Sequence, residues 1–309
     1  MARKKIGLIG GGQIGGVIAQ LAATRELGDV VILDVTEGVP QGKALDMWEG
    51  MPVFGSDAKI TGTNNYADLK GCDAIVITAG VPRKPGMSRD DLLNINIGIM
   101  KNVADNLKQH CPDAFVVVVS NPLDVMVYAC QKLTGFPANK VCGMAGLLDS
   151  ARFRAFVAAE IGVSVEDVSA MVLGGHGDSM VPLVDYCTVN GIPITKFLSA
   201  DTIKAIVDRT KQAGGEVVAL LKTGSAFVSP AVCALEMVES YLKDKKRLIA
   251  CAAKLNGEYG KEGYYIGVPT IIGAGGVEKI VDLELNTADK ALFDTSFGHV
   301  KEMIDGLKF

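Results

Sequence analysis

Lys5-Ile6-Gly7-Leu8-Ile9-Gly10-Gly11-Gly12-Gln13-Ile14-Gly15 opens the chain with a short apolar run, a glycine turn and the start of a helical pattern of small and apolar residues that continues to Ala23. The spacing is G-x-G-x-x-G, placed straight after a strand and straight before a helix, the context in which it binds a dinucleotide. Gly10 permits the tight turn, Gly12 lets the backbone approach a pyrophosphate, and Gly15 allows helix and strand to pack closely. The helix that follows offers free N–H groups and the positive end of its dipole to phosphate. Nineteen residues beyond Gly15, Asp34 closes a second apolar strand, Val30-Val31-Ile32-Leu33. A carboxylate there accepts from both ribose hydroxyls and repels a 2′-phosphate, which favours NAD over NADP.

Further along come Ala74-Ile75-Val76-Ile77-Thr78 and Phe115 to Val119. Such continuous apolar strands suit a sheet covered by helices on both faces. Their alternation with helical stretches predicts an α/β, doubly wound parallel sheet of Rossmann type. The third and fourth strands run into Thr78-Ala79-Gly80 and Ser120-Asn121-Pro122, and ligands of such sheets lie outside the carboxyl ends of the strands. Asn121 is therefore a candidate to hold either a nicotinamide ribose or a substrate oxygen. The pattern changes near Gly143-Met144-Ala145-Gly146. Beyond it the sequence predicts helices over Asp149 to Ile161, Asp201 to Leu221 and Asp289 to Leu307, a strand over Val168 to Leu173, and hairpin turns at Asn190-Gly191 and Asn256-Gly257. The expectation is a nucleotide-binding domain over 1–146 and an α+β substrate-binding, catalytic domain over 147–309.

The 309 residues carry 31 basic and 35 acidic side chains, a formal charge of −4. That balance argues against a nucleic-acid partner, which needs clustered cations. The one dense run, Lys243-Asp244-Lys245-Lys246-Arg247, reads as a solvated turn. No apolar run approaches the roughly 18 residues of a membrane span, and the basic start Met1 to Lys5 is not followed by a signal-peptide pattern. The seven cysteines are odd in number and none are spaced C-x-x-C, as in buried thiols of a reducing cytoplasm. The three histidines, 110, 176 and 299, are too scattered to suggest a metal site.

Of these histidines, His176 lies in Gly174-Gly175-His176-Gly177-Asp178, a glycine-framed loop after a strand, which brings backbone close to a flat ligand and presents an imidazole able to exchange protons near neutrality. His110 reads as a helix C-terminal cap. Asp149 and Arg152 are three apart on one helix face: a surface ion pair by the simplest reading, or a carboxylate that orients a histidine and a guanidinium that grips a substrate carboxylate. Val81-Pro82-Arg83-Lys84-Pro85-Gly86-Met87-Ser88-Arg89 is a proline-rich loop, and Ser88 with Asp91 forms a capping box that starts a helix. It carries Arg83 and Arg89 on a lid-like segment beside the cofactor site. Tyr128 with Lys132 and Tyr241 with Lys245 match the Tyr-x-x-x-Lys pair of short-chain reductases, but without the glycine pattern of that family they read as chance.

Taken in order, the glycine turn with Asp34, the loop 81–89, Ser120-Asn121-Pro122, Leu148-Asp149-Ser150-Ala151-Arg152 and Gly175-His176-Gly177-Asp178 resemble the lactate/malate dehydrogenase family, more closely its lactate-dehydrogenase-like malate branch. The resemblance runs from Lys5 to the final helix. It implies that His176 is the proton donor and acceptor and that Asp149 stabilises its imidazolium. It also implies that Arg152 binds the C1 carboxylate, that Arg89 polarises the carbonyl, and that Asn121 and Ser225 help place the substrate. Arg83 matches the position that separates substrates, where arginine implies a second carboxylate and hence malate and oxaloacetate. L-lactate, or a mixed preference, is the alternative. The implied NAD site comprises Gly10, Gly12, Gln13, Ile14, Gly15, Asp34, Thr78, Ala79, Gly80, Asn96, Val119 and Asn121. A homodimer or homotetramer in the cytoplasm is implied as well.

Overall fold

The computed structural model describes residues 3–81 and 89–307, with Arg89 and Asp90 described through their backbone alone. The first half runs β1 (Lys5–Ile9), α1 (Gln13–Thr24), β2 (Asp29–Leu33), α2 (Val39–Phe54), β3 (Ile60–Thr63), β4 (Ala74–Ile77), α3 (Arg89–His110), β5 (Phe115–Val118), α4 (Leu123–Thr134) and β6 (Val141–Gly143). These six strands pair in parallel in the order β3-β2-β1-β4-β5-β6, so the order reverses beside β1. All residues of β4 and β5 are buried, as a strand sandwiched between helix layers requires. Each such Val or Ile contributes about 1.5–3 kcal/mol on leaving water. α1 is helical because its small residues let it lie close to the sheet: Gly15, Ile18, Ala19, Ala22 and Ala23 form its buried face.

The second half contains α5 (Gly146–Ile161), the short strands β7 (Val168–Ser169), β8 (Val172–Leu173), β9 (Val181–Pro182), β10 (Thr188–Val189) and β11 (Ile192–Pro193), then α6 (Ala200–Leu221), α7 (Val228–Leu242), β12 (Arg247–Asn256), β13 (Glu262–Gly273), β14 (Gly276–Ile280) and α8 (Thr287–Asp305). β12, β13 and β14 form an antiparallel ribbon, and β12 joins the parallel sheet through Ala252 against Gly143. The result is one nine-stranded sheet. α7 packs against α1, and the largest apolar core mixes residues of both halves, from Ile6 and Ile18 to Leu235 and Ile266.

Three expectations change. The strand expected over Val168 to Leu173 is two strands in different small sheets, because Val168–Ser169 pairs with β10 while Val172–Leu173 pairs with β9. The Asn190-Gly191 turn is a two-residue hairpin with both residues at positive φ (48° and 85°). The connection after Asn256 is longer: Asn256 pairs with Glu262, and Gly257, Tyr259 and Gly260 all take positive φ to bring the chain round. The helix expected from Asp149 begins one turn earlier, at Gly146. The capping residue Ser88 lies outside the described residues, and α3 is described from Arg89 onward.

Candidate active site

The glycine turn between β1 and α1 is shaped by contacts that leave no space for side chains at two positions and ample space at a third. Gly10 has φ +116°, and Thr78 Oγ1 donates to its carbonyl at 3.1 Å. A Cβ on Gly15 would lie 2.1 Å from the Gly10 carbonyl oxygen. A Cβ on Gly12 would meet nothing within 4 Å. Gly12 is also the N-cap of α1, and no side chain caps that helix, so the N–H groups around Gln13 and Ile14 face this open volume. The cradle fits a pyrophosphate.

Asp34 reaches back to the same turn, accepting from the Gly11 N–H at 2.7 Å and the Thr36 N–H at 3.0 Å. Partial burial raises its pKa, but these N–H donors outweigh that and hold the carboxyl below its usual range. Asp34, Gly10, Gly12, Thr78, Ala79 and Gly80 line one cavity of about 780 Å³, a size suited to a nucleotide moiety. The residues present therefore fit NAD.

Around that cavity the loops after β4 and β5 are tied together. Ser120 Oγ donates to the Ala79 carbonyl at 2.5 Å. Asn96, on α3, is buried, with Oδ1 accepting from the Val81 N–H at 2.9 Å and Nδ2 donating to the Asn121 carbonyl at 2.9 Å. Its carboxamide is thus spent on holding the two loops in register. Val119 is buried at the end of β5, and Asn121 is exposed just beyond it, before the cis bond to Pro122.

Across the carboxyl end of the sheet, α5 and the loop between β8 and β9 bring together groups that are remote in sequence. Asp149, 2 % exposed, accepts from His176 Nδ1 at 2.9 Å and faces Arg152 Nη1 at 3.4 Å. The simple surface-pair reading of Asp149 and Arg152 is therefore set aside: the acid is buried, the guanidinium is 14 % exposed, and Gly214 of α6 packs against it. Burial pushes the imidazole pKa down, the Asp149 charge and hydrogen bond push it up, and Asp124 adds to the upward pull against Arg152. The net direction is up, so the site favours imidazolium. Asp149 holds Nδ1, so Nε2 is the nitrogen left to exchange a proton.

Arg83 lies outside the described residues, as does the side chain of Arg89, whose backbone opens α3. Ser225 is exposed on the loop between α6 and α7, and among the described residues it makes no hydrogen bond to His176, Asp149 or Arg152. His110 is the last residue of α3, as a C-terminal cap would be. Three groups escaped the sequence reading. Lys43, on α2, donates to the Gly11 carbonyl at 2.6 Å, and Ser296, on α8, accepts from the Gly175 N–H at 2.9 Å; no local pattern marks either. The third is Asp124, which accepts from the His176 N–H at 2.8 Å. Its signal was present: an acid flanked by Leu123, Val125, Met126 and Val127 has no solvent-facing neighbours to explain it.

Two family models match the chain. Residues 4–143 match the family model for the NAD binding domain of lactate/malate dehydrogenase, and residues 147–308 match that for its alpha/beta C-terminal domain. A malate dehydrogenase from Geotalea uraniireducens is 58 % identical, with both chains covered in full. Among solved structures, malate dehydrogenase from Cryptosporidium parvum superposes with a TM-score of 0.95 at 48 % identity, covering 98 % of each chain. Lactate dehydrogenase from the same organism, in complex with lactic acid and NAD, superposes with a TM-score of 0.96 at 47 % identity over the whole of both chains.

Proposed function

The chain belongs to the lactate/malate dehydrogenase family, and from that premise we propose that it is an NAD-dependent malate dehydrogenase, interconverting (S)-malate and oxaloacetate. The observation that carries the chemistry is the buried Asp149 carboxylate on His176 Nδ1, with Arg152 alongside. NAD, when bound, supplies the hydride acceptor. In oxidation the neutral His176 takes the hydroxyl proton at Nε2, and the Asp149 anion compensates the charge that develops on the ring. In reduction the imidazolium returns that proton to the carbonyl oxygen. Arg152 suits the carboxylate next to the reacting carbon, because a planar guanidinium offers two parallel donors. The α1 N-terminus and Asp34 hold the dinucleotide, with Gly10, Gly12, Gln13, Ile14, Gly15, Thr78, Ala79, Gly80 and Val119 around it. Asn96 acts by fixing the loops that carry Val81 and Asn121.

Arg83 and Arg89 are assigned to the far carboxylate and the carbonyl, with Asn121 and Ser225 completing the substrate pocket. Malate is favoured over lactate on two grounds: the curated relative at 58 % identity is a malate dehydrogenase, and an arginine at 83 would face a methyl group, unpaired, if the substrate were pyruvate. The fold alone does not discriminate, since solved structures of both activities superpose equally well. Residues 1–146 serve as the nucleotide unit and 147–309 as the substrate unit. A cytoplasmic setting is supported by seven free, buried cysteines, and among the described residues no helix is long and apolar enough to cross a membrane. A homodimer or homotetramer is supported by Leu45, Trp48, Val53 and Phe54, large apolar side chains left exposed on α2.

The test is NADH oxidation with oxaloacetate and pyruvate side by side, in the wild type and in Arg83→Gln. Wild type should prefer oxaloacetate by several decades in kcat/KM, since a site built for a polar group rejects an analogue lacking it by roughly 10⁴–10⁵-fold. The variant should lose much of that preference and gain on pyruvate. An unchanged substrate ratio refutes the role of Arg83, and a wild-type preference for pyruvate makes lactate the substrate.

A further inference from the structure

The stretch Gly174-Gly175-His176 is pinned residue by residue from three directions. Gly174 exchanges backbone hydrogen bonds with Gly267 of β13 at 2.9 and 3.1 Å. Gly175 donates its N–H to Ser296 Oγ of α8 at 2.9 Å, and Ser296 is fully buried and also bonded to Ser179. His176 donates its N–H to Asp124 Oδ2 of α4 at 2.8 Å. The first two anchors are neutral, while the third is a carboxylate, 4 % exposed, whose second oxygen has no hydrogen-bond partner among the described residues. A neutral side chain such as asparagine would accept from the same N–H without placing an anion in the core. Burying a half-satisfied carboxylate opposes folding, so its presence at this position calls for a gain elsewhere.

We propose that Asp124 is a positioning residue for proton transfer: it fixes the backbone of His176 and, as a second anion beside the histidine, biases the imidazole towards its protonated form. The proposal rests on His176 being the proton-exchanging group. Three charged groups bear on that imidazole among the described residues: Asp149 and Arg152 from α5, and Asp124 from α4. The groups of α8 in contact with the loop, Ser296 and Val300, are uncharged. Burial pushes the Asp124 carboxyl up to about 6, against the His176 N–H and the pull of the imidazole. At pH 7 and above it is therefore mainly an anion and adds to the field of Asp149. α4 follows directly on Asn121-Pro122, so one short segment carries both a residue exposed at the substrate side and the anchor beneath the histidine.

Asp124→Asn keeps the acceptor and removes the charge, while Asp124→Ala removes both. The readout is kcat/KM for oxaloacetate with saturating NADH across pH 5.5–9.5, beside kcat, KM and NADH binding by fluorescence. In Asp124→Asn the pH at which reduction falls off should move down by about one pH unit. The rate above that limb should drop about tenfold, with the low-pH plateau retained, because only the fraction of imidazolium has changed. In Asp124→Ala the plateau itself should fall, by about a hundredfold in kcat, as expected of a displaced catalytic group. NADH affinity should be kept in both, and asparagine should rescue the plateau relative to alanine. A limb in Asp124→Asn at the wild-type pH overturns the electrostatic role, and an alanine plateau equal to wild type overturns the positioning role. Should alanine fail to fold, the asparagine limb remains decisive. His176→Asn is the control for the premise: substantial turnover there would refute the histidine assignment itself, independently of Asp124.

Discussion

Two glycine-to-alanine substitutions three residues apart should separate what the turn does for the fold from what it does for the cofactor. At Gly15 the added Cβ falls 2.1 Å from the Gly10 carbonyl oxygen. That is more than 1 Å inside the roughly 3.3 Å at which carbon normally meets oxygen. Both partners belong to backbone, so the helix must retreat from the turn, at a cost of about 1–3 kcal/mol or more. With about 2–4 °C lost per kcal/mol in a protein of a few hundred residues, the apo protein should melt several degrees lower. At Gly12 the same methyl meets nothing within 4 Å, and the backbone has φ −68°, which alanine adopts freely. The apo melting temperature should therefore fall less than in Gly15→Ala, by the roughly 0.5–1 kcal/mol that separates glycine from alanine at an N-cap. The methyl does occupy the space assigned to pyrophosphate. Losing one charge-assisted N–H contact there costs about 1.5–3 kcal/mol, which weakens NADH roughly ten- to a hundredfold. Thermal melts without ligand, followed by NADH titration monitored by fluorescence, measure both effects. Wild-type NADH affinity in Gly12→Ala would show that the dinucleotide does not lie over Gly12, and an apo destabilisation equal to that of Gly15→Ala would refute the open space read at Gly12.

Further expectations follow from the catalytic groups and the thiols. His176→Asn should abolish turnover while NADH still binds, which activity and fluorescence titration measured on one preparation will check. The His176 pKa is held above its ordinary value of 6.5. Oxaloacetate reduction, which needs imidazolium, should persist at lower pH and fall as pH rises through that raised value, while malate oxidation, which needs neutral imidazole, should rise over the same window. Asp149→Asn removes the main upward pull, so both limbs should move to lower pH and kcat should fall by roughly 10²–10⁴-fold; limbs that stay in place would contradict the role of Asp149. Burial pushes the thiols of Cys72, Cys130, Cys187 and Cys233 up to about 12 and that of Cys111 to about 11. These five should ignore an aromatic disulfide reagent in native protein at pH 8 and react on unfolding, and rapid native labelling of any of them would contradict their burial.

Much of this protein could be read before its structure was seen, and the legible parts share one property: they are local. The turn Gly10 to Gly15 and the carboxylate of Asp34 belong to one strand–helix–strand unit, where the Gly11 N–H meets Asp34 across 23 residues. The buried strands β4 and β5 announce themselves by uninterrupted apolar residues, because both faces are covered. The Asn190-Gly191 hairpin is equally local, for its two residues need only positive φ. Tertiary packing settled the rest. It decided between the two readings that spacing left open for Asp149, making it a buried anchor for His176, 27 residues away. It split the stretch Val168–Leu173 between two sheets, since strand identity depends on which partner supplies the hydrogen bonds. It also placed Asp124 and Ser296, 52 and 121 residues from the loop they hold, under backbone N–H groups whose need for acceptors is invisible in any pattern of side chains. Periodicity and turn chemistry report what a segment does with its neighbours in the chain; the satisfaction of a buried donor depends on whatever the fold brings beside it.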